Sequence, residues 1–126
     1  NKLQILKYKF QTMSSFDLEE RTLNFGKNLI RFSNLLPKNQ INFKLVDQLI
    51  RSGTSVGANY REANETDTKN DFRNRSRISK KEAKETMYWL DLIFEQNKSF
   101  EKDIISLQDE CGQFVKILAA IFEKTK

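Results

Sequence analysis

Five basic side chains are the part of this sequence with the clearest chemical potential: Lys69, Arg73, Arg77, Lys80 and Lys84. At 100° per residue they fall within about 80° of each other, so a helix over this stretch presents them as one stripe. We call these five residues the basic stripe. Residues 69–81 hold six basic residues and one acidic residue, and their net charge of +5 equals that of the whole chain.

A stripe of this kind is typical of proteins that bind the phosphate backbone of RNA or DNA, with strong salt dependence and little sequence readout. Arg51 and Arg61 are candidate additional contacts. No aromatic residue is regularly interleaved with the stripe, so the sequence does not indicate base stacking. The alternative is a solvated face, or one that pairs with acidic residues of a neighbouring helix.

The segment from Arg51 to Ala63 keeps Gly53 and Gly57 one turn apart in a helical pattern. Each glycine costs a helix about 1 kcal/mol relative to alanine, so another helix or a ligand must come close to this backbone. No strand precedes the segment and no P-loop spacing is present, which favours helix packing. The natural counterpart is the run of small residues on the next helix, which comprises Ser76, Ser79 and Ala83.

Polar residues at the end of this segment offer two interpretations. Asn59, Glu62 and either Glu82 or Glu85 are the best candidates for a catalytic cluster. We favour a structural role, in which Asn59 and Glu62 form hydrogen bonds between helices, because buried polar groups need partners. Glu62 is then expected to pair with an Arg or Lys of the third helix or of a neighbouring subunit.

The chain has no His and one Cys, Cys111. The commonest general base and metal ligand is therefore absent. We predict no metal, no cofactor and no enzymatic activity. Cys111 lies on a helical seam and is expected to be an inert core residue of a cytoplasmic protein. No apolar run approaches the ~18 residues needed to span a bilayer, and no signal-peptide pattern is visible, so no membrane partner is expected.

The apolar periodicity predicts an all-α protein, an up-down antiparallel four-helix bundle over residues 14–126. The helices are expected at about 15–36, 40–64, 68–97 and 100–124, and residues 1–13 form a basic arm or a disordered tail. Ser14 or Ser15 and Ser99 are candidate N-caps, and Thr68 with Asp71 resembles a capping box. The predicted seam of the second helix contains Ile41, Leu45, Leu49, Ser52 or Gly53, and Val56.

Apolar residues outside the seams form a second face on the third helix: Ile78, Trp89 and Leu92. An exposed patch of this kind usually marks an interface, which favours a homo-oligomer. The alternative is a thick bundle in which Trp89 covers one end of the core.

These features together resemble a known family, the four-helix-bundle proteins encoded within 23S rRNA intervening sequences. The resemblance covers about three fifths of the chain, between Asp17 and Ile93. It is carried by DLEERT at 17–22, Leu36-Pro37, QLIRSGTSVGANYREA at 48–63, Asp71-Phe72 and KEAKETMYWL at 81–90.

The resemblance implies a bacterial helical bundle that assembles into a ring, with a homopentamer as the expected state. A relative, the accessory variability protein of diversity-generating retroelements, forms a basic pentameric barrel that binds nucleic acid and works with a reverse transcriptase. The family has no established enzymatic activity. We therefore expect a non-enzymatic, oligomeric RNA- or DNA-binding protein, with a protein such as a reverse transcriptase as a further candidate partner. The alternative is a structural ring that presents a surface to a protein and has no role with nucleic acid.

Overall fold

The computed structural model describes residues 15–126, which form four α-helices joined by short connections. The helices are α1 (Ser15–Leu35), α2 (Gln40–Asn64), α3 (Lys69–Gln96) and α4 (Glu101–Lys124), with a 3-10 turn at Lys98–Phe100 before α4. No strand occurs in this range, so the all-α prediction is confirmed. The predicted basic arm at residues 1–13 and the candidate cap Ser14 lie outside the described residues.

Two of the helices, α2 and α3, have a side-chain N-cap. The Thr68 hydroxyl accepts a hydrogen bond from the Asp71 backbone N–H at 3.1 Å, as the capping-box pattern predicts. The Asn39 side chain caps α2 in the same way, through the Asn42 N–H at 2.9 Å. The prediction for Ser99 is wrong, because this residue lies inside the 3-10 turn and α4 begins without a side-chain cap.

The seams predicted for α1, α3 and α4 are buried along their whole length. The first seam runs from Leu18 to Leu36, which directly follows the end of α1. The other two run from Phe72 to Ile93 on α3 and from Ile104 to Ile121 on α4. This agreement follows from the alternating spacing of three and four residues, which places each set on one face of a helix.

The start of the α2 seam differs from the prediction. Ile41 is 54% exposed, whereas the next residue, Asn42, is 1% exposed. The Asn42 side chain exchanges two hydrogen bonds, of 3.1 and 2.9 Å, with the side chain of Asn97 in the turn between α3 and α4. A polar pair therefore occupies the position at which the pattern predicted an aliphatic residue.

The helices α2 and α3 form the most extensive contact in the bundle, and among neighbouring helices α1 and α4 have the smallest contact. Small polar residues allow the close approach of α2 and α3. The Ser79 hydroxyl donates to the Val56 carbonyl at 2.7 Å, and the Thr86 hydroxyl donates to Ser52 Oγ at 2.9 Å.

The two glycines of α2 lie close to α1 instead. A Cβ on Gly57 would be 2.9 Å from Thr22 Oγ1 and 3.1 Å from Thr22 Cβ, and one on Gly53 would overlap the end of the Leu29 side chain. The glycines thus accommodate α1, whereas Ser79 of the expected small counterpart on α3 contacts Val56. The segment of small residues in α2 therefore has two close contacts, one with α1 and one with α3. The sequence pattern did not distinguish between these two contacts.

Candidate nucleic-acid interface

The burial pattern of α3 sets the position of the basic stripe. Seven residues of this helix, from Phe72 to Ile93, form its buried seam. The stripe follows one flank of that seam, with Arg77 and Lys84 exposed and Lys69, Arg73 and Lys80 half-buried. The structure therefore brings the five predicted residues onto one face of a helix that the core holds in place.

The last turn of α4 packs beside the first half of the stripe. The Arg73 guanidinium carbon lies 4.1 Å from the centre of the Phe122 ring, and Lys80 Nζ lies 5.5 Å from the same centre. Arg73 Nε also donates to Thr125 Oγ1 at 3.2 Å, and Lys69 Nζ donates to the Lys126 backbone oxygen at 3.0 Å. Two cations of the stripe thus lie close to one aromatic ring.

Sequence reasoning missed Phe122 and Thr125 as members of this surface. Both belong to α4 and lie about 50 residues from Arg73 in the chain. Their proximity depends on the register between α3 and α4, which residue types along α3 do not reveal. The one available signal was Phe122 itself, an aromatic residue next to the predicted seam position Ile121.

Most of the positive charge on the stripe has no counter-charge within the described part of the chain. Over residues 15–126, no carboxylate lies within ion-pair distance of Arg73, Arg77, Lys80 or Lys84. Arg77 instead donates to Asn74 Oδ1 at 3.0 Å. Concentrated cations on one surface raise the local potential and attract polyanions.

Glu82 and Glu85 of α3 lie on its opposite flank, towards α2. Arg51 pairs there with Glu85 and, at 3.3 Å, with Glu82. Arg61 lies 3.7 Å from Glu19 of α1. Both additional candidate arginines are therefore engaged in ion pairs away from the basic stripe, and the structure does not bring them into that surface.

The candidate catalytic cluster is not assembled. Glu62 lies 3.4 Å from Arg75 of α3, which matches its predicted partner on the third helix. Glu82 and Glu85 instead pair with Arg51 of α2. Arg51 precedes Glu62 by eleven residues, which is about 16 Å along the helix axis. The Asn59 amide donates to the Ser55 carbonyl at 2.9 Å within its own helix, so the prediction that it bonds between helices is wrong.

Cys111 is fully buried, as expected for a core residue, and its thiol donates to the Ala83 carbonyl at 3.1 Å. Burial raises the pKa of this thiol to about 12, and the nearby Glu110 acts in the same direction. Burial likewise raises the pKa of Tyr60 to about 12. A thiol that stays protonated is a poor nucleophile, so this cysteine has the character of a packing residue.

The face predicted as an oligomer interface is only partly open. Leu92 is 37% exposed, whereas Ile78 and Trp89 are half-buried, and the Trp89 ring nitrogen donates to Glu85 Oε2 at 3.3 Å. More apolar surface is open on α1, where Leu23 is 42% and Ile30 50% exposed. These two residues line an apolar groove of about 410 Å³ between α1 and α2.

No helix within residues 15–126 has the length and apolar character that crossing a membrane requires. In the same range, no three His, Cys, Asp or Glu side chains come together as they would to hold a metal ion.

Comparison with known proteins places the chain in a family. The family model for the 23S rRNA-intervening sequence protein matches residues 15–120. A crystal structure from Bacteroides thetaiotaomicron, described as a protein with unknown function from the S23 ribosomal protein family, is 32% identical. The similarity covers 88% of this chain and 99% of that chain, with a TM-score of 0.80. No curated protein matches the chain. Because the matched region covers the first three helices and most of α4, the chain belongs to the 23S rRNA-intervening sequence protein family.

Proposed function

We propose that this protein binds nucleic acid as a non-enzymatic homo-oligomer, through phosphate contacts of the basic stripe. One observation carries the proposal: Arg73, Arg77, Lys80 and Lys84 share one flank of α3, and no carboxylate of the described residues neutralises them. A solvated face that served only solubility would gain nothing from grouping its cations in this way. Grouped cations release counterions when they meet phosphates, and this release drives binding.

Charge reversal at the two exposed members of the stripe tests this function. Arg77→Glu with Lys84→Glu should abolish measurable binding of RNA and of duplex DNA at low salt, because it replaces two attractive contacts with two repulsive ones. The matched control is Lys44→Glu with Lys102→Glu, two exposed lysines outside the stripe that give the same change in net charge. Fluorescence anisotropy measures both. Equal loss in the two double variants would show that net charge, and not the stripe, governs binding.

Self-association is the second part of the proposal, and the exposed apolar groove between α1 and α2 supports it. An apolar surface that is open in the single chain, with Leu23 and Ile30 at its rim, is suited to burial against another subunit. A ring of such subunits repeats the basic stripe, so that weak contacts add up by multivalency. The resemblance to ring-forming proteins makes a pentamer the expected state.

A protein-binding ring with no role with nucleic acid is the second candidate function. The same apolar groove favours it, because a protein partner buries apolar surface as well as another subunit does. The two functions assign different roles to the basic stripe: it contacts phosphates in the first, and a protein partner or a neighbouring subunit in the second. If the Arg77→Glu and Lys84→Glu variant changes the assembly state and wild-type protein binds no nucleic acid, the interaction module is the better account.

A further inference from the structure

At the end of α4, Phe122 lies beside two cations of the basic stripe. The ring is half-buried and has Arg73 at 4.1 Å and Lys80 at 5.5 Å from its centre. We propose that Phe122 and Arg73 form a stacking site for an unpaired nucleobase, so that the preferred ligand is single-stranded nucleic acid. This inference rests on the proposed function and names its ligand class.

The arrangement of Arg73 supports a site for one nucleotide. Thr125 Oγ1 accepts from Nε of this guanidinium at 3.2 Å and so helps to fix its position. The two terminal nitrogens have no acceptor among residues 15–126. They are therefore available to a phosphate, whose geometry a guanidinium matches with two parallel hydrogen bonds.

The ring and the guanidinium provide the second half of such a site. Bases of single-stranded nucleic acid stack on aromatic rings and on the planes of arginine side chains, with little dependence on sequence. Lys80, whose Nζ lies 5.5 Å from the ring centre, has no carboxylate partner among residues 15–126 and can hold the adjoining phosphate. Duplex bases are already stacked on each other inside the helix, so they cannot use the ring.

The expected effect is a selective loss. Phe122→Leu should weaken binding of a single-stranded 12-mer about tenfold, whether RNA or DNA, since one base stack is lost. Binding of duplex DNA and of an abasic single strand of equal length should change less than about twofold, because phosphate contacts remain. Comparison of the RNA and DNA strands shows which of the two the site prefers.

Two further variants keep the test decisive. Phe43→Leu removes a 56% exposed phenylalanine from the first turn of α2, and should leave all four ligands unaffected. Phe122→Trp retains and enlarges the stacking surface, so it should bind the single strands at least as tightly as wild type, with duplex binding unchanged. Circular dichroism checks that each variant is folded. If Phe122→Leu is unfolded, the binding of single strands by Phe122→Trp tests the stacking site instead.

Several outcomes would overturn the stacking site. Equal weakening of all four ligands by Phe122→Leu would mean that the ring only supports Arg73, and no change for any ligand would mean that no base reaches it. In both cases, loss of binding in the Arg77→Glu and Lys84→Glu variant would leave the proposed function intact. Absence of wild-type binding to every ligand would end both proposals.

Discussion

Ser76 and Ser79 lie less than one turn apart on α3, and both are fully buried, yet their hydroxyls differ in partners. Ser79 Oγ donates to the Val56 carbonyl at 2.7 Å, whereas Ser76 Oγ has no hydrogen-bond partner in the described part of the chain. A buried hydrogen bond contributes about 1 kcal/mol net, while a buried hydroxyl without a partner contributes nothing and costs desolvation.

The two serines therefore give a matched pair of variants. Ser79→Ala should lower the free energy of unfolding by about 1 kcal/mol, and Ser76→Ala should leave it unchanged or raise it slightly. Urea unfolding followed by circular dichroism at 222 nm measures both. Equal destabilisation by the two substitutions would contradict the assignment of the hydrogen bond to Ser79 alone.

Alkaline pH should destabilise the fold through Cys111 and Tyr60. Both groups are neutral when protonated, and burial raises the pKa of each to about 12, from 9.0 for the thiol and 10.0 for the phenol. Above these ordinary values the unfolded chain loses protons that the folded protein keeps. The contribution to stability is thus complete below pH 9 and is lost as the pH rises towards 12.

Urea unfolding at pH 8, 9.5 and 10.5 tests this dependence. Cys111→Ala should show a flatter profile between pH 8 and 9.5, because in the unfolded chain the thiol titrates about one pH unit below the phenol. The thiol of the native wild-type protein should also react with a disulfide reagent only as fast as it becomes exposed. Identical pH profiles for wild type and Cys111→Ala, or rapid native labelling at pH 8, would show that this thiol is accessible.

At the scale of the helices, the close approach of α1 and α2 depends on Gly57. A Cβ there would be 2.9 Å from Thr22 Oγ1, 3.1 Å from Thr22 Cβ and 3.4 Å from the Thr22 backbone carbon. Rotation of the threonine cannot relieve contacts with its Cβ and backbone, so α1 must move. Gly57→Ala should therefore destabilise the protein by about 1–2 kcal/mol, despite the better helix propensity of alanine.

Gly112 provides the control for this prediction. A Cβ at this position of α4 would meet only the Met87 methyl at 3.9 Å, an ordinary contact. Gly112→Ala should therefore raise stability by up to about 1 kcal/mol. The difference between the two variants in thermal unfolding measures the close approach itself, and destabilisation of the same size in both would contradict it.

The sequence predicted correctly those features that depend on the residue spacing within a single helix. Heptad spacing identified the seams of α1, α3 and α4, and the same wheel identified the basic stripe. It failed where two distant segments meet. Burial of Asn42 in place of Ile41 depends on its hydrogen bonds to Asn97, 55 residues later. Phe122 lies beside the basic stripe because of the register of α4 on α3, which no local sequence pattern reveals.

At the scale of the whole molecule, the charge and the open apolar surface lie in different places. The basic stripe follows the α4 side of α3, while the groove lined by Leu23 and Ile30 lies between α1 and α2. A ring built through the groove therefore leaves the stripe free for a ligand. This separation allows assembly and binding to be changed independently.

The assembly can be tested by placing a charge in the groove. Leu23→Glu with Ile30→Glu should dissociate the proposed oligomer, because burial of two carboxylates in an apolar contact is costly. Multi-angle light scattering should change from a multiple of 14.9 kDa, five for a pentamer, to a single chain. Ile105→Glu, at a 49% exposed residue of α4, is the control. An unchanged mass in the double variant would place the subunit contact elsewhere.

The salt dependence of binding tests the central claim most directly. Binding of duplex DNA should give a plot of log K against log salt with a slope of about −3.6 or steeper, as four neutralised phosphates require. In the double variant Arg77→Gln with Lys84→Gln, which removes two charges, the slope should become shallower by about 1.8 for each stripe engaged, since two contacts are lost. A slope that is the same in wild type and variant, or no binding at 50 mM salt, would contradict the account.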